Sequence, residues 1–127
     1  MTDSVQTGSA ATLAIYPSDI ELLERLYTFR EKAEVVQFLE KYPFLVPTLR
    51  SAPEHIRRHF PDEQLFLQVA HDPEILNCAD LILSILTGRE PEEALDRLKH
   101  LDKEWELGLP YEVRKVFVTL LEFPDEF

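Results

Sequence analysis

Between residues 18 and 42 the apolar positions follow the turn of a helix. Ile20, Leu23 and Tyr27 share a stripe that Leu22 and Leu26 widen, and Val35, Val36, Phe38 and Leu39 carry an apolar face on to Tyr42. Ser18-Asp19-Ile20-Glu21 has the form of a capping box, in which a serine oxygen and a glutamate satisfy free backbone N–H groups, so a helix is predicted to start at Ser18. Thr28-Phe29-Arg30-Glu31 repeats the form and leaves open whether residues 18–42 make one helix or two. Pro43 closes or kinks this element. Phe44 to Leu49 reads as a short apolar helix or turn. Ala52-Pro53-Glu54 then puts proline at the first position of another short helix, through His59 or Phe60. The stretch 18–60 is thus predicted to be all helical.

The period changes after Pro61. Leu65, Leu67 and Val69 alternate with Phe66, Gln68 and Ala70, the period of a strand with a buried face. Ala79 to Thr87 is apolar nearly throughout, which predicts a central strand covered on both sides and paired antiparallel with the first. Gly88 breaks it, and Pro91 opens a helix whose stripe is Ala94, Leu95, Leu98, Leu101 and Trp105, ended by Gly108 and Pro110. Val116 to Leu121 forms a third strand, and the β–α–β stretch 79–123 suits a parallel, right-handed crossover. The predicted fold class is α+β: N-terminal helices, then a β-β-α-β unit over 63–123 forming a small sheet packed against helices.

Length and composition fit this. The 127 residues suit one domain over 15–127, and 45% hydrophobic content supplies a core. Residues 1–14, rich in Ser, Thr, Gly and Ala, read as a flexible tail without the features of a secretory signal. No apolar run of about 18 residues exists to span a membrane. The single cysteine, Cys78, rules out an intramolecular disulfide and points to a reducing, cytoplasmic setting.

Charge narrows the partners. Residues 1–60 carry 7 Lys/Arg against 8 Asp/Glu, whereas residues 61–127 carry 6 against 16. The second half therefore has a balance of −10, which disfavours nucleic acid and anionic membranes and favours a basic protein partner. The candidate contact surface is the outward face of the 91–107 helix: Glu92, Glu93, Asp96, Asp102 and Glu104. The one basic stretch, Arg50, Arg57 and Arg58, could seat a phosphate or an acidic segment, although Glu54 and Arg58 are spaced to pair with each other.

Catalytic templates find little purchase. His55 and His59 are four apart on a predicted helix and could grip a metal, but Ile56 stands where a zinc protease needs glutamate. Cys78 lacks positive neighbours to stabilise a thiolate. The three glycines are scattered, so no phosphate loop is present, and no cofactor is expected.

The segment His59 to Val69, Asp72-Pro73-Glu74, and Pro91-Glu92-Glu93-Ala94-Leu95-Asp96 through Glu104-Trp105 resemble small uncharacterised bacterial proteins, over roughly residues 29–123. That resemblance implies no assigned activity, and suggests accessory or antitoxin-type members of two-gene toxin modules. The leading expectation is a protein-interaction module, antitoxin-like or an accessory or inhibitor protein. Its competitors are a metal-dependent hydrolase or nuclease using His55 and His59, and a structural homodimer.

Overall fold

The computed structural model describes residues 15–72, 74 and 78–124. The tail expected over 1–14, and most of the loop after Asp72, lie outside these residues. The elements are α1 (Pro17–Leu26), β1 (Thr28–Phe29), α2 (Lys32–Lys41), α3 (Leu45–Ile56), β2 (Gln64–His71), β3 (Ala79–Leu86), α4 (Pro91–Glu104), a 3-10 turn (Glu106–Gly108), α5 (Tyr111–Arg114) and β4 (Phe117–Glu122). This is the α+β fold predicted, with an additional strand. The sheet order is β1-β2-β3-β4; β2 and β3 are antiparallel, while β1–β2 and β3–β4 are parallel pairs. Among the described residues no helix is long and apolar enough to cross a membrane.

The first half departs from prediction at three places. α1 starts one residue early, because Pro17 is preset for the first helical position and Asp19 Oδ2 accepts the Tyr16 N–H at 3.1 Å. Helix stops at Leu26 and Thr28-Phe29 pairs with β2, so residues 18–42 hold two helices around a short strand. Glu31, with φ of 56°, then turns the chain off the sheet into α2.

The third departure is Pro53, which lies inside one continuous α3 rather than at the start of a new helix. Proline has no N–H for the Leu49 carbonyl four residues back. Tyr27 Oη donates to that oxygen instead, at 2.8 Å within the core. Burial pushes the Tyr27 phenol well above its usual range and keeps it a donor. α3 then ends at Ile56, short of His59.

All the long helices lie on one face of the sheet. Leu65 and Leu67 from β2, Leu81, Leu83 and Ile85 from β3, and Phe117 from β4 join a single core with Leu23, Leu39, Leu49, Ile56, Leu101 and Trp105. Along α4 the inward stripe is Ala94, Leu101 and the partly buried Leu98, continued by Trp105 just past its end. Leu95, about 100° round from Ala94, is 50% exposed. The two parallel crossovers advance the same way across strands of opposite sense. Keeping both on one face therefore requires opposite hands, whereas two right-handed units would have covered both faces.

Candidate functional site

The consequence is a sheet face that no helix covers among the described residues, although Ser84 at its centre is buried. β3 was expected to be covered on both sides, but Ala79, Leu81, Leu83 and Ile85 meet the core on one side, while Ile82 and Leu86 point the other way. Phe66, Val118 and Leu120 join them, and none of these five belongs to the core. Leu120 is 47% exposed. Arg30 lies across this face, with its guanidinium 4.0 Å above the Phe66 ring. It donates to Gln68 Oε1 at 3.1 Å and to Glu122 Oε2 at 3.1 Å, strapping the β1 side of the sheet to β4.

The β4 edge has an acid set against its middle. Carbonyls of Val116 and Glu122 face β3, so the intervening Thr119 turns its backbone groups outward. The Glu106 carboxylate stands against the Thr119 N–H and hydroxyl, with Asp102 beside it. Glu106 Oε1 and Thr119 Oγ1 are sealed from solvent, and neither makes a hydrogen bond of regular geometry. Burial chiefly, with the Asp102 charge adding to it against the Thr119 contact, pushes Glu106 up to about 7. Burial also raises Asp102.

Among the described residues the β2 edge is covered only where β1 lies. Arg30 N–H bonds the Leu67 carbonyl at 2.9 Å, and the following rung, from Val69 N–H to the Arg30 carbonyl, is not made because Glu31 swings the chain away. The pairing with β3 points Asp72 N–H at the Cys78 carbonyl, so alternate residues Val69 and His71 face outward. Beside this bare stretch lies a cleft of about 270 Å³ between α2 and the end of the sheet. Phe38, Tyr42, Val69 and Ala79 are its apolar walls, and Glu34, Lys41 and His71 stand at its polar side.

The residues singled out from sequence are mostly engaged within the chain. Glu93 is held by Arg89 at 3.1 Å and Arg97 at 2.9 Å, and Glu104 by His59 at 3.0 Å, a contact that lowers its pKa. Asp96 sits 3.8 Å from His100, Asp102 leans towards Glu106, and Glu92 stays exposed. Arg57 donates to the carbonyls of Phe60 and Glu63, while Arg50 is exposed. Arg58 places its charge near Glu104 rather than pairing with Glu54. Since α3 ends before His59, the two histidines part: His55 stacks on Trp105 at 5.6 Å and His59 turns to Glu104. Among the described residues no three His, Cys, Asp or Glu side chains come together to hold a metal ion.

A second internal cluster also went unread in the sequence. Glu63 accepts from Thr87 at 2.9 Å and Arg89 Nε at 2.8 Å; burial pushes its pKa up, but these bonds outweigh it and the net shift is downward. Arg30, Glu106 and Glu122 carried no local signal, because their partners lie on other elements. The one available hint was the apolar outward row Phe66, Ile82 and Leu120. Comparison with protein-family models, curated proteins and solved structures finds no match.

Proposed function

We propose that the protein is an interaction module that docks another protein on the uncovered face of its sheet. The observation that supports this is the apolar row itself. A half-solvated sheet ordinarily alternates apolar-in with polar-out, yet Phe66, Ile82, Leu86, Val118 and Leu120 occupy outward positions. Leu120 is exposed and the other four are partly buried, Phe66 beneath the Arg30 guanidinium, and an apolar row left partly open to solvent in this way supports a contact site. Asp80 and Glu122 share this face, and the −10 balance of residues 61–127 adds a negative field around it. The partner that fits is a protein with an apolar patch rimmed by Lys and Arg.

The test is affinity capture from the native organism at low and moderate salt, with wild type and Ile82→Lys or Leu120→Lys. A stoichiometric basic partner retained by wild type and lost by both folded variants is the expected result. A partner retained equally by the variants would overturn the assignment of this face.

A further inference from the structure

We infer that the uncovered stretch of the β2 edge, with its cleft, takes an extended peptide segment of a partner as an added strand. The proposal rests on the interaction reading above, but it uses the edge rather than the face and is read at different residues. Two features coincide. The outward N–H and C=O groups of Val69 and His71 have no backbone partner among the described residues, because the ladder from β1 ends at Arg30. An exposed run of this kind is a template for a further strand. A strand laid there would alternate its side chains, and those opposite Val69 and His71 would point to the core side. That is where the cleft between Phe38, Tyr42 and Ala79 opens. The edge thus offers backbone bonds for affinity and a pocket for an alternate side chain, the two elements of strand addition.

The cleft suits one large apolar side chain such as leucine or phenylalanine. Its surroundings set the flanks. Glu34 Oε2 lies 3.5 Å from His71 Nε2, and Glu31, Asp72 and Glu74 are exposed around this end of the sheet against Lys41 alone. The matching ligand is therefore an extended apolar segment flanked by Lys or Arg.

The experiment is an NMR titration of the whole protein with short capped peptides that alternate threonine with leucine or phenylalanine and end in lysine. Saturable shifts centred on the Val69 and His71 amides and on Phe38 and Lys41 are expected. His71→Pro removes an outward N–H while leaving the bonds to β3, and should weaken binding by about tenfold, whereas His71→Ala, which removes only the imidazole and its contact with Glu34, should leave binding within about twofold. Ala79→Leu, which fills the cleft without altering the backbone edge, should weaken binding as His71→Pro does. Absence of saturable binding would overturn the proposal, as would binding indifferent to both His71→Pro and Ala79→Leu. Shifts confined to Ile82, Val118 and Leu120 would overturn the edge assignment while leaving the interaction reading standing. Loss of that reading is decided separately, by the capture experiment on Leu120→Lys.

Discussion

The two edges of the sheet face the same hazard and meet it differently. At β4 the 3-10 turn that precedes it in the chain supplies a partly buried carboxylate, Glu106, which stands against the outward N–H of Thr119. At β2 the strand cover among the described residues is two residues of β1, after which a left-handed turn at Glu31 takes the backbone out of the sheet. Closing an edge with an acid ties stability to a proton. Leaving one open keeps the fold free of that dependence and exposes backbone groups to other chains. The contrast shows that an unpaired edge is not a uniform property of a small sheet, since each side reflects what the next loop can reach.

The largest expected effect comes from removing what both edges hang on. Leu83, in the centre of β3, is fully buried, and Leu83→Ala should lower stability by about 3 kcal/mol in urea unfolding. A single transition would show that the edges share one cooperative unit; separate transitions would split them. The closed edge should be sensitive to pH in a defined sense. Glu106 has a folded pKa of about 7, above its unfolded value, so its contribution is fully present below the unfolded pKa and fades as pH rises through 7. Glu106→Gln should therefore stabilise the protein at pH 8 by on the order of 1–2 kcal/mol, a figure reduced for partial solvation, and change little at acid pH. Equal effects at both pH values would show that the carboxylate is not what closes the edge. The smallest effect belongs to the strap between the two sides. Its ion pair is about one-third exposed at each partner, so Arg30→Ala should cost less than about 1 kcal/mol while opening the Phe66 ring to solvent. A larger loss would mean that the strap holds β1 in place.

Much of the fold was legible because it is periodic. The alternation at Leu65, Leu67 and Val69, the apolar run from Leu81, and the proline-capped helix from Pro91 all carry their period within a few residues. β1 was hidden because two residues cannot display one. The continuity of α3 was hidden for another reason: the donor that compensates for Pro53 is Tyr27, 22 residues before Leu49. Reading β3 as covered on both sides followed from its composition, but an unbroken apolar run reports only that both faces are apolar. The acidic face of α4 was visible as a charge pattern. The Glu93 pairs with Arg89 and Arg97 have the i,i+4 spacing of a helix and were open to reading, whereas the ties of Glu104 to His59 and of Asp102 to Glu106 depend on side chains brought in from beyond the helix.

The hydroxyl of Tyr27 has a consequence for the order in which structure is gained. Alone in water, α3 would carry a gap in its ladder at Pro53, and only solvent could fill it. Packed in the core it is dry, so the helix and the end of α1 must arrive together or leave an acceptor stranded. The two segments should therefore behave as one foldon, with amides of the last turn of α3 and the Tyr27 amide exchanging through the same opening.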